Sequence, residues 1–161
     1  MDVFSAIVVN YGYLGIFILM LLESAPFPIP SEVILPAVGL LSREGLFNVH
    51  IAFIISVMGS IIGALADFYI AKWVGKEFVY SKASKLRLLS HLHKAEKFLD
   101  AHAGAVLFAR FIPAIRALIS IPAGLAEMNI YKFITYSLAG IMIYNALLIY
   151  AFNCFVLPLM I

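Results

Sequence analysis

Hydrophobic and polar positions along this chain do not alternate; they come in blocks. Residues 3–22, 45–66 and 133–161 contain no formally charged side chain. Apolar runs of about 20 residues match the length of a helix crossing a bilayer, so the blocks predict membrane-embedded helices. The first departs from a simple span. Tyr11-Gly12-Tyr13-Leu14-Gly15 divides it into a short opening piece and a helix, and Pro26-Phe27-Pro28-Ile29-Pro30 then ends it. Each proline removes a backbone donor and collides with the preceding turn. Ser31 is placed to cap a new helix with Glu32 in its first turn. That helix reads to about Ser42, and Arg43-Glu44-Gly45 makes an interfacial loop. Residues 12–25 reach only about 21 Å at ~1.5 Å per residue, against a hydrocarbon core of ~30 Å. The pattern therefore predicts a re-entrant hairpin over 12–45 with its prolines at the tip. Such backbone is tolerated at membrane depth only when buried in protein or lining a wet cavity.

Residues 48–74 are long enough to span, with Gly59, Gly63, Ala66 and Ala71 at helix-packing intervals. Residues 78–100 place Leu88, Leu92, Ala95 and Leu99 on one face and Lys85, Lys94, Glu96 and Lys97 largely elsewhere. This is either a basic amphipathic helix lying on an anionic membrane surface or a solvated linker. Residues 103–128 repeat the hairpin pattern, with Pro113 at the break and Pro122-Ala123-Gly124-Leu125 after it. Residues 129–157 form a final span that Pro158 ends or bends. The two halves superpose as sequence. Pro36-Ala37-Val38-Gly39-Leu40 matches Pro122-Ala123-Gly124-Leu125 with one deletion, and Asn48, Phe53, Ser56 and Gly59 match Asn129, Phe133, Ser137 and Gly140. One span enters the cytoplasm and the other leaves it, so the copies have opposite orientation. The expected fold is an all-α polytopic membrane protein of one domain, 1–161, built from two inverted repeats. Each repeat is a broken-helix hairpin followed by a transmembrane helix. Inverted repeats with broken helices characterise secondary transporters, whose sites lie at the midplane.

Composition sharpens this picture. Of 161 residues, 64% are apolar and 12% charged, against about 25% charged in an ordinary soluble domain; a separate soluble domain is excluded. The segment 72–102 holds ten of the twenty charges, including seven of the eleven basic residues, which assigns the basic segment 72–97 to the cytoplasmic side. Asp2 replaces the basic start of a signal peptide and no small-x-small cleavage site follows Leu22, so a removable leader is not expected. The single cysteine, Cys154, allows neither an internal disulfide nor a Cys-based zinc site. No metal or cofactor is expected. Nucleotide-binding, P-loop, G-x-S-x-G and H-E-x-x-H patterns are all missing, and no arrangement of the four histidines suggests phosphatase chemistry.

Ionisable groups inside apolar segments face a protein interior or a water path. Glu23 and Glu32 flank the first set of prolines, while Arg110 and Arg116 flank Pro113. Arginine suits bidentate recognition of phosphate, and a half-helix N-terminus beside it adds anion affinity. A desolvated glutamate there is suited to proton exchange. The same four charges read equally as ion pairs locking two hairpins together. Asp67, in the middle of the second span, is a further intramembrane acid that either pairs with an arginine or caps a polar cavity. Asn145 and Asn153 read as interhelical hydrogen-bonding groups, with Asn145 the additional site candidate, and His102 as a boundary residue.

The segments Glu23-Ser24-Ala25-Pro26-Phe27-Pro28-Ile29-Pro30-Ser31-Glu32, Gly59-x3-Gly63 through Lys72-x2-Gly75, and above all Phe108-x-Arg110-Phe111-x-Pro113-x2-Arg116 followed by Pro122-Ala123-Gly124 carry a family resemblance. Over about residues 12–145 the chain resembles the DedA family, also called the VTT-domain or SNARE-associated family. The resemblance implies a membrane lipid translocase, flippase- or scramblase-like. Prokaryotic members return polyprenyl-phosphate carriers such as undecaprenyl phosphate across the cytoplasmic membrane with coupling to ion gradients, and eukaryotic relatives resemble phospholipid scramblases. It implies functional roles for Glu23, Glu32, Arg110 and Arg116. Three departures stand out: Ala71 where the family has glycine, Tyr144-Asn145 in place of a tryptophan-centred pattern, and an end at Ile161, short for the family. The expected partners are a phospholipid or polyprenyl phosphate, protons or Na+, and a second copy as the candidate oligomer partner, with no nucleic acid. Two rival readings use the same residues: a proton-coupled transporter of a small ion or cation, and a non-transporting membrane scaffold.

Overall fold

The computed structural model describes residues 3–23, 31–85, 90, 93–94, 97–99, 102–116 and 118–155. The tip prolines Pro26, Pro28 and Pro30, Pro158 and most of the expected amphipathic segment after Lys85 lie outside these. All regular structure among the described residues is helical: α1 (Val3–Glu23), α2 (Ser31–Arg43), α3 (Val49–Lys85), the short α4 (Ala105–Ala109), α5 (Pro113–Arg116) and α6 (Ser120–Leu125), and α7 (Ile130–Phe155). α1 breaks at Gly12, whose φ of 60° and ψ of −138° suit only a residue without Cβ. α3 bends at Gly75, at the end of its apolar part. α2 begins at Ser31 itself, one residue earlier than the cap reading expects, with Glu32 in its first turn. Pro113 opens a helix of its own, and the segment expected as the second hairpin contains three short helices in series. Among the described residues, three helices are long and apolar enough to cross a membrane: Ala6–Glu23, Val49–Gly75 and Ile130–Cys154. α1 joins the expected spans by counting across its Gly12 break.

The long helices turn their polar side chains to the buried face. On α3 the exposed stripe is Ile51, Ile54, Met58, Ile62 and Ile70, while Ala52, Ser56, Ser60, Ala64, Asp67, Phe68 and Ala71 are buried. α7 follows suit, exposing Tyr131, Met142, Ile143 and Leu147 and burying Phe133, Ser137, Ile141, Tyr144, Asn145 and Ile149. In hydrocarbon, exposing large apolar side chains costs nothing, so small and polar residues collect where helices touch.

The chain divides into two compact units, Met1–Gly63 with Ile141–Ile161, and Ala64–Gly140. α3 and α7 each give one half to each. In the first unit, Ile16, Met20, Ile34, Leu35, Val38 and Ile149 belong to one buried apolar cluster, against which Leu148 packs. Asn48 caps α3 by accepting the N–H groups of His50 (3.0 Å) and Ile51 (3.3 Å). A methyl at Gly59 would lie 2.6 Å from the carbonyl oxygen of Phe17 and 3.1 Å from Met20 Cβ, and one at Gly39 would meet the carbonyl of Ile149 and Phe152 Cβ.

The second unit repeats these devices. Asn129 caps α7 through the N–H groups of Tyr131 (3.0 Å) and Lys132 (3.4 Å). A methyl at Gly140 would lie 2.9 Å from Arg110 Cβ and 3.2 Å from the Leu107 carbonyl oxygen, and one at Gly124 would meet the carbonyl of Phe68 and Ala71 Cβ. The core here is Ala64, Phe68, Val106, Ile119, Ala123 and Phe133, with the Phe68 and Phe133 rings stacked at 4.6 Å. A single offset of 81 residues relates Asn48 to Asn129, Gly59 to Gly140, Phe68 to Ile149 and Ala71 to Phe152. By contact, not by that offset, Met20 against Gly59 in the first unit corresponds to Arg110 against Gly140 in the second.

Gly124→Ala should cost about 1–3 kcal/mol, because the helix backbone beneath it cannot move aside for a methyl. Thermal unfolding in detergent checks this. Ala66→Leu, on the exposed side of α3, should change stability by no more than ~0.5 kcal/mol.

Candidate functional site

The second unit buries charge. Arg110 caps the C-terminal end of α4 with helical backbone angles, and its side chain is 2% exposed. Leu107 and Arg110 lie on the face of α4 that meets Gly140, so the missing Cβ on α7 makes room for the base of the arginine. From there Nη1 donates to the carbonyl oxygen of Arg116 at 2.8 Å. Nη2 donates to Ser120 Oγ and Ser137 Oγ, each at 3.1 Å. The guanidinium carbon stands 6.0 Å from the centre of the Phe133 ring, within cation–π range. These three acceptors are neutral oxygens, and together they fix the plane of the guanidinium. Arg116, in the last turn of α5, is equally buried at 2% exposure. The hairpin thus brings both predicted arginines, with Pro122 and Gly124, into one unit.

Asp67 belongs to the same unit. It is 9% exposed, its Oδ2 has no hydrogen-bond partner, and it lies within electrostatic reach of Arg110. Phe68, next to it in the chain, stacks on the ring that Arg110 faces. Beside the hairpin runs an apolar groove of about 310 Å³, lined by Phe98, Phe108, Ile112, Ile115, Ile119 and their neighbours.

The first unit holds the predicted acids in unlike settings. Glu23, at the end of α1, is 4% exposed; Glu32 is exposed and accepts the Tyr144 hydroxyl at 3.3 Å. Asn145 is fully buried and donates to Ser56 Oγ at 3.1 Å, while Ser56 donates to the Phe53 carbonyl at 2.7 Å. Asn153 donates to the Gly39 carbonyl at 3.2 Å. Both asparagines therefore join helices, as expected. His102 is exposed and stacks on Phe98. Sequence reasoning missed Ser120 as an arginine ligand and used Ser137 only as a repeat marker. The signal available was the match of Ser137 to Ser56, two buried hydroxyls at equivalent turns.

Comparison with known proteins adds an independent line. The profile of the VTT domain matches residues 29–153. The chain is 36% identical over 150 residues to undecaprenyl phosphate transporter A of Staphylococcus aureus, covering 89% of this chain and 74% of that protein. It is 35% identical over 147 residues to a Lactococcus lactis protein named alkaline phosphatase-like, covering 87% and 69%. It is 26% identical over 157 residues to protein DedA of Escherichia coli, covering 91% and 71%. No solved structure matches significantly. With three apolar helices of spanning length, these similarities make the chain a membrane protein.

Ser137→Ala should destabilise the protein by about 1–3 kcal/mol, since it strands a buried guanidinium N–H. In an Arg110→Met background the donor is gone and the same change should cost much less. A double-mutant cycle of thermal unfolding in detergent measures the difference.

Proposed function

The chain belongs to the VTT-domain family of DedA membrane proteins, and from that premise we propose that it moves a phosphate-bearing lipid, of the polyprenyl-phosphate class, between membrane leaflets. The observation that carries this reading is Arg110, a fully buried cation whose guanidinium is oriented by the Arg116 carbonyl, Ser120 and Ser137, with buried Arg116 in the same unit. A guanidinium held in one plane is preorganised for the oxygens of a phosphate, and low surrounding polarity strengthens that attraction. The relative named undecaprenyl phosphate transporter A supports the choice of lipid.

The parts then take roles. Arg110 and Arg116 hold the phosphate. The apolar groove beside them carries the hydrocarbon tail, which needs only a continuous non-polar surface. Glu23 and Glu32 gate the path or carry coupling ions, protons or Na+. The shared contacts of the two units support an internal duplication, and internal repeats are the architecture from which secondary transporters build alternating access. The basic segment 72–97 supports a cytoplasmic position for the C-terminal end of α3 in a prokaryotic cell membrane.

Arg110→Met separates this reading from a purely structural one, because the first unit already carries Met20 in the equivalent slot against Gly59. The variant should fold, as judged by size-exclusion profile and helical circular dichroism. In proteoliposomes it should move labelled polyprenyl phosphate at least tenfold more slowly than the native protein. Undiminished transport by both Arg110→Met and Arg116→Gln would sink the assignment.

A further inference from the structure

The groove of the second unit has a buried floor and an exposed rim. Leu99 and Ile119 are buried, whereas Phe98, Phe108, Ile112 and Ile115 stand exposed. Every lining side chain is apolar, and the volume of about 310 Å³ is that of a small ligand site. An open apolar groove in a bilayer does not stay empty. Water gains no hydrogen bonds there and bare walls forfeit contact energy, so a hydrocarbon chain fills it. A slot of this size takes one chain, not two side by side.

Its walls come from two segments. Ala109 and Ile115 immediately precede Arg110 and Arg116. Phe98 and Leu99 follow directly on the basic segment 72–97. From Phe98 the chain makes a helical turn to His102, whose N–H donates to the Phe98 carbonyl at 2.9 Å. The His102 ring stacks on the Phe98 ring, centroids 5.1 Å apart and planes 27° apart. His102 is exposed, so its imidazole sits at the rim within reach of an anion. Lys94 is four positions before Phe98, as His102 is four after, and it is helical and exposed. Residues four apart share a helix face, and residues two apart do not. By sequence spacing, then, Lys94 and His102 flank Phe98, while the acids Glu96 and Asp100 fall away from it.

We propose that Lys94, His102 and the groove at Phe98 form a docking site for the transported lipid, with its tail in the groove and its phosphate on the Lys94 ammonium and the His102 imidazole. This deepens the phosphate-lipid reading and rests on it. A single apolar slot with nitrogen donors at its rim matches a single-tailed phosphate lipid on both counts. A neutral lipid leaves Lys94 unanswered, and a two-tailed phospholipid has one chain too many. The ammonium of an exposed lysine is a flexible, hydrated point charge, so its hold on phosphate is weak and screened by salt. That suits a dock, which must release its cargo. Arg110, buried and fixed in plane by three hydrogen bonds, suits the selective step. The dock concentrates lipid beside the arginines and so sets KM, while the arginines set kcat.

Binding of farnesyl phosphate and of neutral farnesol to the full chain in phosphatidylcholine nanodiscs tests this, with farnesyl phosphate transport measured in proteoliposomes. Arg110→Met, which disables the clamp, should still bind farnesyl phosphate, and salt should weaken that binding. Adding Lys94→Ala and His102→Ala should weaken it at least fivefold while farnesol binding changes less than twofold. In the otherwise native protein the same pair should raise KM for transport at least fivefold with kcat within twofold, and Lys94→Arg should keep the native KM. Ile112→Trp, which fills the groove, should weaken both ligands at least fivefold; Ile115→Trp makes the same test if that variant does not fold. Native KM and native binding in the folded Lys94→Ala, His102→Ala protein would overturn the dock and leave the clamp standing. Displacement of farnesyl phosphate by phosphatidylglycerol at equal mole fraction would give the groove to an ordinary bilayer phospholipid and overturn it too. Undiminished transport by Arg110→Met and Arg116→Gln would instead overturn the phosphate-lipid reading, and this inference with it.

Discussion

Everything in this structure answers to the cost of placing a polar group where no water can reach it. A buried polar group without a partner costs several kcal/mol in hydrocarbon. The chain meets that cost by sorting its helices inside out, with isoleucine and methionine facing lipid and serine, asparagine, aspartate and arginine facing protein. Arg110 is the extreme case. A main-chain carbonyl and two serine hydroxyls, drawn from α5, α6 and α7, converge on its one guanidinium. Three short helices in series make that convergence feasible. A continuous helix could not turn the Arg116 carbonyl back toward a residue six positions earlier.

The second theme is duplication with divergence. The asparagine caps, the close-contact glycines Gly59 and Gly140 and the buried serines Ser56 and Ser137 recur at one offset, and they serve as scaffold in both units. Divergence falls on side chains that project from this scaffold. The slot occupied by Arg110 holds Met20 in the other unit; Asp67 gives way to Leu148. Ser56 serves Asn145, whereas Ser137 serves Arg110. The scaffold is duplicated while the chemistry is not, so one unit concentrates cations and the other contains Glu23 and Glu32.

Much of this is legible along the chain. Blocks of apolar residues define the spans because membrane thickness sets their length. Gly12, Pro113 and the Pro122-Ala123-Gly124 run mark breaks, because backbone chemistry acts locally. Arg110 and Arg116 declare themselves by standing in apolar surroundings, where a charge is never incidental. The partners of those charges are not legible, since Ser120 and Ser137 lie ten and twenty-seven positions from Arg110 and look like any other serine.

The sequence by itself therefore determined the membrane environment, the order of helices and breaks, and which ionisable residues are too expensive to be ornamental. Those properties depend on local composition and on spacing within a turn or two. Only the tertiary structure decided which face of each span turns inward, that Arg110 is held by neutral oxygens, and that Glu23 is buried while Glu32 is exposed. These depend on close approach between segments remote in sequence. A hydropathy pattern that is apolar on every side contains no instruction about which side will meet protein.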